Sequence, residues 1–169
     1  MNYFPYNSEL AKAIAAEFVQ LEGGSINKMK LIKLMYLLDR TAIKEEGYAI
    51  IGGKYVSMKL GPVVSPLLND LNECNWPGFH LSDYKYDVSI VRGDYGSALI
   101  SEWLHELIHR VYSEFGSMNK WQLSDYTHAN CPEWSDPGNS SSPIDIMLIA
   151  GDSADEVDAL AQELSILAR

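Results

Sequence analysis

Apolar residues recur at helical spacing near the start of the chain, where Leu10, Ile14, Ala15, Phe18 and Leu21 share one face. Asn7 or Ser8 stands where a helix cap belongs, and Gly23-Gly24 stops the run. A second helix is predicted from Ser25 or Asn27 to about Glu46, ended by Gly47. Its centre, Leu31, Ile32, Leu34, Met35, Tyr36, Leu37 and Leu38, is apolar almost all round, the pattern of a buried helix.

The period then shortens. Tyr48 to Ile51, the pair Gly52-Gly53 and Lys54 to Leu60 read as a hairpin, because paired glycines supply the positive φ of a tight turn; Gly61-Pro62 closes the second strand. Pro66 to Glu73 reads as a short helix, Asn75 to Asp83 as a loop, and Tyr84 to Val91 as a third strand. A long helix follows from Ser97 to Phe115, with Ile100, Trp103, Leu104, Leu107, Ile108, Val111 and Phe115 as its core face. Ser117 is expected to cap a shorter helix to about Tyr126, and His128 to Pro143 reads as a long loop. Pro143 is expected at the first position of an apolar turn reaching Ala150, and Ser153 with Glu156 as a capping box for the last helix. The predicted class is α+β: a mostly helical single domain over residues 1–169 with a small antiparallel β-sheet or hairpin.

Composition supports a folded chain. Of 169 residues 47% are hydrophobic and 21% charged, which excludes an intrinsically disordered composition. Thirteen Lys plus Arg against 23 Asp plus Glu give a net charge of -10, so the averaged field repels nucleic-acid phosphates and anionic membranes and attracts a basic partner. Cys74 and Cys131 lie outside any CxxC or Cys/His spacing, which predicts two reduced thiols and no structural zinc. The first residues lack a basic segment followed by an apolar run, and no stretch is long and apolar enough to span a bilayer; a cytoplasmic location is the expectation.

The sharpest chemical motif is His105-Glu106-Leu107-Ile108-His109, the HExxH pattern in which two histidines one turn apart hold zinc and the glutamate activates water. The elongated form is excluded, since Tyr112 and Phe115 occupy its glycine and third-histidine positions. Glu133 and Glu156 are formally available as a third ligand, but the helical wheel turns both histidines away from the apolar face, so a solvated face is the preferred reading. No GxSxG, P-loop or GxGxxG is present. Ser124, Asp125 and His128 are too close together along one helix for triad geometry. Lys30, Lys33, Arg40 and Lys44 make a basic stripe on the second helix, expected to pair with Glu17, Glu45 or acids of the last helix rather than with a phosphate backbone. Trp76, Phe79, Tyr84, Tyr86, Tyr95, Tyr126 and Trp134 concentrate in loop and strand segments; some are expected in the core and several on a recognition surface.

Three segments together carry a family resemblance: Lys30 to Leu38 (KLIKLMYLL), Lys54 to Val63 (KYVSMKLGPV) and Leu123 to Trp134 (LSDYTHANCPEW). In this order and spacing they resemble the SocA-like Panacea antitoxin domain, in which a KLxKLxYL helix precedes a short strand and a Gly-Pro-Val turn, and an LSxxTH segment is followed by a tryptophan. The matching positions are Lys30, Leu34, Tyr36, Gly61, Pro62, Thr127, His128 and Trp134, carried over as architectural. The resemblance implies a phage-associated, toxin-antitoxin type of protein that neutralises a cognate toxin by direct contact, without enzymatic activity. No catalytic, cofactor-binding or metal-binding residue is assigned, no cofactor is expected, and neither a membrane nor nucleic acid is the expected partner. The competing readings are a zinc-dependent hydrolase on His105, Glu106 and His109, and an accessory protein binding a host factor or DNA through the basic stripe.

Overall fold

The computed structural model describes residues 1–169. Helix α1 (Ser8–Leu21) starts where the Asn7 side chain accepts from the Leu10 backbone N–H, and ends at Gly23 and Gly24, both at positive φ. A three-residue strand β1 (Ser25–Asn27) leads into α2 (Lys28–Glu46), so the second helix opens at Asn27, whose side chain caps the Lys30 N–H. Twelve residues of α2 are buried, Lys30, Lys33 and Asp39 among them. Each fully buried Leu, Ile, Met or Tyr there contributes roughly 1.5–3 kcal/mol. Gly47 ends α2 in the left-handed conformation.

The hairpin lies one segment later than the glycine pair implies. Strands β2 (Tyr55–Met58) and β3 (Gly61–Val64) pair antiparallel across Lys59 and Leu60, with Met58 opposite Gly61. Gly52 and Gly53 serve close packing instead: a Cβ on Gly52 would collide with the carbonyl of Pro5. Residues 50 to 52 are held by Asp39, whose carboxylate accepts from the backbone N–H of Ile50, Ile51 and Gly52 and from the Tyr55 hydroxyl. These tertiary bonds replace the ladder that a strand over Tyr48 to Ile51 would need.

Helix α3 (Ser65–Asn72) follows directly, with Pro66 in its first turn. Strands β4 (Phe79–Leu81) and β5 (Asp87–Ile90) pair with each other, and β5 also pairs with β1, giving a sheet of order β1-β5-β4. The third predicted strand is therefore shorter, because Tyr84 and Lys85 take positive φ in a tight turn. Helix α4 (Glu102–Phe115) is capped by Ser101, and residues Ser97–Leu99 form a separate 3-10 turn. Leu104, Leu107, Ile108, Val111 and Phe115 are buried as predicted, whereas Trp103 is exposed.

Helix α5 (Lys120–Asn130) begins at Asn119, not Ser117: Asn119 and Gln122 form a reciprocal capping box. It runs past Tyr126 and shortens the predicted loop, which β6 (Ser142–Ile144) shortens again from the other end. Pro143 lies in β6 rather than at a helix start, pairing opposite Val56 to complete a second sheet of order β3-β2-β6. Helix α6 (Ile146–Ala150) is capped by Asp145, and α7 (Ala154–Leu167) closes the chain; the Ser153 side chain makes no cap bond. One cluster of 39 buried residues includes members of every helix and both sheets. The fold is α+β, mostly helical, with small antiparallel sheets. No helix is long and apolar enough to cross a membrane.

Candidate binding face at the β2–β3 hairpin

The hairpin is held from below by α2 and α5. Lys33, on the second turn of α2 and 2% exposed, donates from Nζ to the Pro62 carbonyl at 2.9 Å. No carboxylate pairs with it, and burial pulls its ammonium down to about 7. Gly61, at φ +120°, passes so close to both helices that a Cβ there would lie 2.6 Å from Thr127 Oγ1 and 3.0 Å from Lys33 Nζ. Glycine is required by backbone conformation and by contact alike. On α5, Ser124 Oγ donates to the Leu60 carbonyl, and Thr127 is fully buried with Oγ1 donating to Ser124 O.

The far edge is held from the segment after α5. Trp134 donates from Nε1 to the Met58 carbonyl at 2.8 Å, and its ring stacks on His128 at a centroid separation of 4.0 Å. His128 Nε2 is buried and has no hydrogen-bond partner. Glu133, beside Trp134, accepts from the Tyr36 hydroxyl at 2.7 Å and from Arg40 Nε at 2.6 Å, which ties α2 to the α5 exit. Burial, followed by the neighbouring Glu133 carboxylate, pushes the Tyr36 phenol well up. The Tyr36 ring meets Tyr55 edge-on at 6.0 Å. Cys131 is pushed up to about 12 by burial and then by Glu133, which keeps it a thiol.

Six of the eight motif positions, Tyr36, Gly61, Pro62, Thr127, His128 and Trp134, thus gather around one hairpin. Leu34 is a core residue of the same helix. Lys30 lies elsewhere, pairing with Glu22 and donating to the Gly116 carbonyl. The sequence reading missed Lys33 and Asp39 as buried polar anchors, and Tyr55 as the partner of Asp39. Their signal was a polar residue within an otherwise apolar helical run.

Above this support the hairpin and α2 leave a groove of about 550 Å³, walled by Met29, Ile32, Met58, Leu60, Val63 and Leu68. Lys28 and Lys59 give the same groove a positive rim on a chain of net charge -10, with the buried Lys33 lining its floor. Leu60 at the hairpin tip is exposed.

The remaining candidates are placed differently. Lys30, Lys33 and Arg40 of the basic stripe are turned inward, and their partners are Glu22, the Pro62 carbonyl and Glu133 rather than Glu17, Glu45 or acids of α7. Lys44 is exposed, so the stripe forms no continuous contact surface. Ser124 and His128 are engaged with Leu60 and Trp134 and make no triad with Asp125. His105 and His109 are partly exposed and face Glu17 of α1, while Glu133 is occupied by Tyr36 and Arg40. Glu106 lines a different recess, with Trp103, Leu107 and Arg110. Of the aromatics, Trp76 and Phe79 are buried, whereas Tyr84 and Tyr86 are exposed.

The model of the family described as antitoxin SocA-like, Panacea domain, matches residues 31–135, a span that contains the hairpin and all of its supports from Lys33 to Trp134. Searches of curated proteins and of solved structures each returned no significant match.

Proposed function

The chain belongs to the SocA-like Panacea domain family of antitoxins, and from that premise we propose that it neutralises a cognate toxin by binding it at the β2–β3 groove. The observation that carries this reading is the coincidence of the family-matched span with an apolar groove whose walls are held from behind by buried hydrogen bonds. A rigid, preformed surface loses little conformational entropy on binding. The occupant fitting this groove is a toxin segment that presents apolar side chains flanked by carboxylates, because Lys28 and Lys59 stand at its rim.

The reading extends to the rest of the chain. Residues 1–169 act as one Panacea-like domain, since α1 and α7 lie outside the matched span but share its core. The protein works in the cytoplasm as part of a phage-associated toxin-antitoxin pair and catalyses no reaction. The eight motif positions serve architecture, and toxin specificity is carried by the groove side chains around them.

The test is coexpression with the product of the adjacent gene. The reading requires that this product alone arrests growth, that the chain restores growth, and that the two elute as one stoichiometric complex. Lys59→Glu and Leu60→Asp, both at the exposed hairpin tip, abolish rescue and complex while leaving the circular dichroism spectrum unchanged. Rescue that survives both substitutions moves the interface away from the groove, and a harmless neighbour that forms no complex overturns the antitoxin reading.

A further inference from the structure

Helices α1 and α4 bring three ligand-type side chains together on a face remote from the hairpin motif. Glu17 Oε1 lies 2.6 Å from His105 Nδ1 and 3.2 Å from His109 Nε2, and the three donor atoms all fall within 4.8 Å of one another. The two imidazoles are one helical turn apart on α4, with centroids 4.2 Å apart. The Glu17 oxygen is buried and accepts no hydrogen bond: neither ring nitrogen is aligned to donate to it despite the short separations. A buried carboxylate oxygen without a hydrogen bond is costly, and a cation removes that cost.

We propose that Glu17, His105 and His109 form a binding site for a late first-row divalent cation, with Zn²⁺ as the physiological ion. Imidazole nitrogen and carboxylate oxygen are ligands this class favours. Zinc with bonds of about 2.0–2.1 Å places tetrahedral ligands about 3.3 Å apart, close to the 3.2 Å between Glu17 and His109, and the 2.6 Å between Glu17 and His105 opens to that spacing when the ion enters. The third ligand comes from α1 and not from Glu133 or Glu156. The fourth position opens into a recess of about 410 Å³ bordered by Gln20, Ser97 and Ile100. Glu106 is absent from that recess, so the arrangement lacks the water-activating carboxylate of an HExxH hydrolase. The role assigned to the ion is to cross-link α1 and α4.

The experiment is titration of the purified full chain with Zn²⁺ by calorimetry and with Co²⁺ by visible absorption. One equivalent of each ion binds, and Co²⁺ gives the intense absorption of a low-coordinate site. His105→Ala, His109→Ala and Glu17→Gln each weaken binding by at least about ten-fold, since even residues behind the ligands are worth that much. His80→Ala, an exposed histidine on β4, leaves binding unchanged. Zn²⁺ raises the thermal midpoint of the wild type and not of the His105→Ala chain. The proposal is overturned by the absence of stoichiometric binding, or by binding that His105→Ala and His109→Ala leave intact. Both histidines are partly exposed, so their replacement does not threaten folding.

Discussion

Lys33 and Pro62 are joined by a 2.9 Å hydrogen bond from Nζ to the carbonyl oxygen, linking the second turn of α2 to the strand after the hairpin turn. Because burial holds this lysine near 7, the folded chain sheds its proton while the unfolded chain keeps it up to the ordinary lysine range. The unfolded state then binds more protons over that interval, so stability rises as pH rises from about 7, by up to roughly 1.4 kcal/mol per unit. Urea unfolding between pH 7 and 8 measures it, because above that window the Cys131 thiol ionises in the unfolded chain but not in the fold and opposes the rise. Lys33→Met flattens this rise relative to the wild type.

Gly61→Ala destabilises the fold by more than about 2 kcal/mol, since the new methyl meets Thr127 Oγ1 and Lys33 Nζ at a φ of +120°. Gly138→Ala, also at positive φ but with no atom within 4 Å of its Cβ, costs only about 1 kcal/mol. Thermal or urea unfolding of the pair separates close contact from backbone conformation.

Glu133→Ala leaves the Tyr36 hydroxyl and the Arg40 guanidinium without their shared buried acceptor, and costs about 3 kcal/mol or more. Tyr36→Phe alone costs about 1–2 kcal/mol. The combined variant is less destabilised than the sum of the two, because the second substitution removes a donor already orphaned by the first. Equilibrium unfolding of the four proteins reads the coupling directly.

Trp134→Phe removes the indole donor to Met58 while keeping an aromatic ring against His128. The expected loss is about 1–2 kcal/mol. Faster amide exchange across Tyr55–Met58 and Gly61–Val64, with α1 unaffected, distinguishes a local loosening of the hairpin from global destabilisation.

The sequence alone determined the helices, because amphipathic spacing and caps act within a few residues: α1 with Asn7 and Gly23-Gly24, the buried α2 ending at Gly47, and the apolar face of α4 are legible from local order. It also carried the family, through three motifs whose order reflects one hairpin and its two supports. Tertiary structure decided the rest. Gly52-Gly53 signals a tight turn locally, but Asp39 captures the neighbouring amides and Pro5 packs against Gly52, so the hairpin forms at Lys59 and Leu60 instead. Lys30, Lys33 and Arg40 share one side of a helical wheel, yet whether that side faces water depends on elements up to about ninety residues away, and here it faces Gly116, Pro62 and Glu133. Glu17 could not be joined to His105 and His109 by any spacing rule, since side chains on two helices meet only through the packing of α1 on α4. Short-range periodicity is written in the order of residues, whereas the partner of a buried charge is chosen by the fold.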